Sequence, residues 1–117
     1  MIEEFGSVVT TVSMSVRGAL SIEDARKFAI ECVEAIGMHV SHPAHVVEYP
    51  LHEGKDIGFL LLQPLIESYI MLDVWTNLGG FYIGAVSCKD FDTIDLEVLV
   101  ARWGFKQVSI TGGYLNL

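Results

Sequence analysis

From Ser7 to Val16 the chain alternates. Val8, Val12, Met14 and Val16 fall on one side, and Ser7, Thr11, Ser13 and Ser15 on the other. A period of two predicts a half-buried strand, and Arg17-Gly18 ends it. The period then changes. Ile22, Ala25, Phe28, Ala29, Cys32, Val33 and Ile36 recur at helical spacing, which predicts a helix from Ser21 to Ile36 with one apolar face. Ser21 offers the N-cap oxygen, Glu23 and Asp24 sit where the helix dipole favours negative charge, and Gly37 closes the helix.

The middle of the chain is less regular. Met38 to Tyr49 reads as a strand interrupted by Pro43, and Pro50 to Lys55 as a loop. Three β-type runs follow, at Ile57 to Leu62, Ser68 to Trp75 and Phe81 to Cys88; Asn77-Leu78-Gly79-Gly80 joins the last two as a hairpin turn. A second helix is expected from Asp92, its cap, to Trp103, burying Leu96, Leu99, Val100 and Trp103 before Gly104 ends it. Lys106 to Thr111 closes as a strand. Runs joined by a tight hairpin imply an antiparallel sheet, with both helices on one face: an α+β two-layer sandwich. The 117 residues make a single domain, 1–117, of ordinary size.

Composition narrows the functions. Fifteen acidic side chains against 7 basic ones give a net charge of -8, and no basic block is present to hold a phosphate backbone, so no nucleic-acid partner is expected. The apolar run Ile57 to Ile66 is far shorter than the ~20 residues of a bilayer span. The acidic start Met1-Ile2-Glu3-Glu4 has the wrong sign for a secretory signal. With two cysteines and no Cys-x-x-Cys spacing, the expected compartment is the cytoplasm. A mean hydropathy of +0.45 is high for so small a protein and predicts a homodimer that buries one sheet face or edge.

Two groups of residues invite chemistry. His39, His42 and His45 are spaced by three, with His52 further on, but Pro43 interrupts them and no acidic or cysteine ligand lies beside them. They read as solvated loop histidines, and no metal is expected. The second group is Glu67-Ser68-Tyr69 with Asp73, Trp75, Gly79 and Ser87-Cys88. A hairpin turned around residues 77–80 brings Ser68 and Cys88 roughly level, with opposed Cβ atoms ~5 Å apart. Geometry alone favours two small core residues over a shared pocket.

The same residues resemble the signature of the prokaryotic S-adenosylmethionine decarboxylases. That signature runs Glu-Ser-His, three residues, His-Thr-Trp-Pro-Glu, then Gly and, further on, Thr-Cys-Gly. Glu67, Ser68, Trp75, Gly79 and Cys88 match it in register over 22 residues without a gap, and the order of elements extends the likeness over most of the chain. The resemblance implies a self-processing, pyruvoyl-dependent lyase of polyamine biosynthesis. Ser68 would attack the Glu67 carbonyl, cleave the chain between Glu67 and Ser68, and become the pyruvoyl cofactor, with no metal. Its ketone would hold the amine of the substrate, S-adenosylmethionine or a related cationic amino acid, while Cys88 returns a proton.

The chain also departs from the signature. Tyr69 stands where the family has its first histidine, and Asp73 where it has the histidine that assists processing. Leu60 takes the place of the upstream serine that assists the acyl shift, and Thr76-Asn77 that of Pro-Glu. Asp73 can still accept a proton and is the third candidate catalytic residue, expected near the rim of the Ser68–Cys88 pocket. Leu60 cannot replace a hydroxyl. The alternative is therefore an unprocessed, non-catalytic relative acting as a binding or oligomeric interaction protein. A thiol enzyme built on Cys88 has no matched histidine to support it.

Overall fold

The computed structural model describes residues 8–116. Ser7, expected at the start of the first strand, and the acidic Met1-Ile2-Glu3-Glu4 segment lie outside the described residues. The alternating segment is strand β1 (Val8–Arg17), with Val12, Met14 and Val16 buried. The helical period becomes α1 (Ile22–Ala35), whose N-cap Ser21 accepts the Asp24 N–H on its side-chain oxygen. Ala25, Phe28, Ala29, Cys32 and Val33 form its buried face.

The remaining elements are β2 (His45–Glu48), β3 (Phe59–Pro64), β4 (Ser68–Trp75), β5 (Gly80–Ser87), α2 (Ile94–Arg102) and β6 (Lys106–Asn116). The six strands form one sheet in the order β2-β3-β4-β5-β1-β6, and every neighbouring pair is antiparallel. Leu96, Leu99 and Val100 of α2 share one core with the buried face of α1 and with Ile70, Leu72, Ile83 and Met14 of the sheet. Both helices therefore cover the same face, and the result is the α+β two-layer sandwich that the pattern predicts. Phe28 stands at the junction of the layers. Its ring meets Phe81, Trp103 and Phe105 edge-on, at centroid distances of 5.6, 5.2 and 5.8 Å.

Boundaries differ from expectation where local signals conflict. Pro43 confines the Met38–Tyr49 run to the four-residue β2, with Val40 making only an isolated bridge to Leu65. The 77–80 turn is a short 3-10 turn, Thr76–Leu78, closed by Gly79 at φ 68°. Thr93, not Asp92, occupies the N-cap of α2, although the Asp92 carboxylate still accepts the Ile94 N–H. The last strand runs well past Thr111 because β1 offers it a full-length partner.

Among the described residues no helix covers the sheet's other face. On it lie Leu60 and Leu62 of β3, Met71 and Asp73 of β4, and Tyr82 and Val86 of β5, each alternating with a buried neighbour.

Candidate functional site

β3 and β4 are joined by a tight turn. Leu65 donates its N–H to the Ser68 carbonyl at 2.9 Å, so that only Ile66 and Glu67 lie between them. Ser68 pays for this closure with φ 157°, a region that residues bearing a Cβ rarely occupy and that costs ~1–3 kcal/mol unless the surroundings enforce it. The torsion about the Ser68 N–Cα bond, next to the Glu67–Ser68 peptide, is thus the strained point of the hairpin.

Several hydrogen bonds hold this bond in place. The Cys88 N–H donates to the Glu67 carbonyl oxygen at 2.9 Å, withdrawing electron density from the carbon that Ser68 would attack. The Glu67 side chain is buried, and both of its oxygens are engaged by one residue. Oε1 accepts the His39 backbone N–H at 2.9 Å, and Oε2 meets His39 Nδ1 at 2.8 Å. Burial pushes the Glu67 carboxyl up, but the hydrogen bonds from the His39 ring and backbone outweigh it and hold the group below its ordinary value.

Across the hairpin the register is offset by one from expectation. Ser68 lies opposite Ser87, not Cys88. The turn centres between Asn77 and Leu78, and the pairing sum follows from that centre. The Ser87 side chain is buried; its hydroxyl donates to the Met38 sulfur at 3.4 Å and accepts the Lys89 N–H at 3.0 Å. Cys88 follows the end of β5, half-buried, opposite Glu67. Glu67, Ser68, Ser87, Cys88 and His39 therefore gather at one end of the sheet.

Asp73 does not join them. It lies five residues further along β4, ~16 Å at strand rise, and its side alternates with the buried Ile70, Leu72 and Val74. The expectation that it borders a Ser68–Cys88 pocket fails on strand parity. It faces Leu60 across the β3–β4 ladder, so that the two positions departing most from the signature are neighbours on the open face. There the Tyr49 hydroxyl donates to Asp73 Oδ1 at 2.5 Å, and the Tyr49 ring tilts against Trp75 at 5.3 Å. Burial first, then the Asp73 hydrogen bond and charge, push the Tyr49 phenol up to about 12.

The histidines do not behave alike. His42 Nδ1 meets the Ser41 hydroxyl at 3.0 Å, while the His39 ring is tied to Glu67. The His39 side chain is 66% exposed, as a solvated residue would be, but that reading missed its tie to Glu67, and His45 belongs to β2 rather than to a loop. No sequence signal links His39 to Glu67, because the two are 28 positions apart and the tie exists only once the chain segment 39–41 lies along 64–66. Tyr49 was missed for the same reason, being separated from Asp73 by 24 positions.

No family model and no curated protein matches this chain. Among solved structures, the adenosylmethionine decarboxylase of Aquifex aeolicus VF5 has the same fold: TM-score 0.67, with 94% of this chain and 90% of that one covered, at 14% identity. The arrangement of six antiparallel strands and two helices is therefore that of an adenosylmethionine decarboxylase-like fold. Among the described residues no helix is long and apolar enough to cross a membrane.

Proposed function

We propose that the chain is a pyruvoyl-dependent decarboxylase of S-adenosylmethionine or a related cationic amino acid, self-processed between Glu67 and Ser68. One observation carries the reading. The bond that would break lies next to the strained torsion, Ser68 φ 157°, and its carbonyl already accepts the Cys88 N–H. In processing, Ser68 Oγ adds to the Glu67 carbonyl carbon and the C–N bond breaks, leaving an ester and a free amine on residue 68. Loss of the residue-68 α-proton expels the Glu67 carboxylate. Water then replaces the amine, released as ammonia, and leaves the pyruvoyl group.

The residues at the turn fit that group: a nucleophilic hydroxyl on Ser68, a polarised Glu67 carbonyl, and a thiol-bearing residue, Cys88, whose backbone N–H sits on that carbonyl. Once formed, it supplies an electron sink for loss of carbon dioxide. The role of Cys88 is to return a proton to the substrate carbon from its place beside the Glu67 carbonyl. A net charge of -8 favours approach of a cationic substrate. The fold likeness to an adenosylmethionine decarboxylase supports the substrate class. On this reading the protein acts in the cytoplasm, in polyamine biosynthesis, as a homodimer paired through the open sheet face.

The test is intact mass after cell-free synthesis. The expected products are fragments 1–67 and 68–117, the second reacting with a carbonyl reagent such as hydroxylamine, and Ser68→Ala abolishes both. A chain that stays whole after prolonged incubation defeats the proposal and leaves the non-catalytic relative in its place.

A further inference from the structure

His39 holds the Glu67–Ser68 junction from outside the signature. Its backbone N–H and ring Nδ1 take the two oxygens of the Glu67 carboxylate, and its carbonyl accepts the Ile66 N–H at 2.9 Å. Three hydrogen bonds from one residue thus fall on the two residues that precede Ser68. The chain next to His39 adds two more ties, with Ser41 N–H on the Pro64 carbonyl at 3.2 Å and Gln63 Nε2 on the His42 carbonyl at 2.9 Å. A carboxylate oxygen only accepts, so the ring nitrogen facing it carries the proton.

A rare backbone angle persists only where its neighbours over-determine it. Cys88 fixes the junction from the β5 side, through the Glu67 carbonyl. The Glu67 side chain needs an anchor on the opposite side, and the structure provides residue 39. We infer that His39 is the positioning residue of the Glu67–Ser68 bond: its ring clamps Glu67 so that the carbonyl stays on the Cys88 N–H and Ser68 stays in its strained conformation. The consequence for cleavage rests on the proposed self-processing; the clamp itself does not.

Two measurements on the full chain separate these claims. The first is the time course of self-cleavage after cell-free synthesis. His39→Leu retains the backbone bonds but loses the ring donor, and slows cleavage by about tenfold or more. In His39→Asn the side-chain nitrogen occupies nearly the place of Nδ1, and the rate recovers to within about threefold of wild type. His39→Gln carries its nitrogen one bond further and does not recover it. The His39 side chain is 66% exposed, so all three variants are expected to fold.

The second measurement uses the uncleavable Ser68→Ala chain and reads amide hydrogen exchange at Ile66 and Cys88. His39→Leu speeds exchange at both by about tenfold, and His39→Asn leaves it near the parent value. If wild type never cleaves while the exchange pattern appears, the decarboxylase reading falls and the clamp stands. Unchanged exchange in His39→Leu, or cleavage equally fast in His39→Leu and wild type, overturns the clamp.

Discussion

The Tyr49 phenol and the Glu67 carboxyl are two acids whose partners shift them in opposite directions. Tyr49 is pushed up to about 12 from an ordinary 10. A raised folded value means that the native state holds the proton more tightly. The stability this contributes is present below pH 10 and is lost as pH climbs towards about 12. Phenolate absorbance should show a late phase near pH 12, missing from Tyr49→Phe. If the wild-type and variant titrations differ only by an ordinary phenol near 10, the Tyr49–Asp73 contact is not made in solution. Glu67 behaves in the opposite sense. Its folded value is lowered from 4.5, so its contribution is present above that pH and is lost as pH falls below it. Acid titration of folding should therefore find Glu67→Gln less stable than wild type at neutral pH, with the two curves converging in strong acid.

The β3–β4 hairpin depends on Gly58 as well as on its turn. Gly58 has φ 135°, and a Cβ built there would lie 1.9 Å from the Val74 carbonyl oxygen. That oxygen belongs to β4 and cannot move without breaking the ladder, so Gly58→Ala should cost about 2 kcal/mol or more, or prevent folding, in a urea titration. On α1, Ser21→Ala removes the acceptor for the Asp24 N–H and should cost about 1 kcal/mol. These elements were legible because their signals are local. Ser21 to Gly37 and Ser68 to Trp75 carry period, cap and boundary within their own length, and both emerge as expected. The Met38–Tyr49 segment was not legible, since its pairing is decided by the arrival of β3 and the 64–66 turn.

For the molecule as a whole, one side of the sheet is sealed by the two helices and the other is left bearing Leu62, Met71 and Tyr82. The homodimer proposed above should sediment at twice the 12.9 kDa chain mass at micromolar concentration, and Met71→Glu should return it to the monomer. A 12.9 kDa wild-type particle would contradict this. On the sealed side Phe28 is fully buried among three rings, and Phe28→Ala should lose about 3–5 kcal/mol in chemical denaturation. Outside the Met38–Tyr49 segment, periodicity was enough to assign the strands, both helices and the layer they share, because a strand or helix must turn its apolar face towards something. The Glu67–Ser68 and Cys88 positions were likewise visible along the chain. Which of them meet was not. A one-residue shift of register exchanges the partners a strand meets on each face, and here it sets Ser87 opposite Ser68, while the alternation of β4 itself takes Asp73 to the open side. The contacts of His39 with Glu67 and of Tyr49 with Asp73 join residues far apart in sequence, so they exist only because folding brings separate strands side by side.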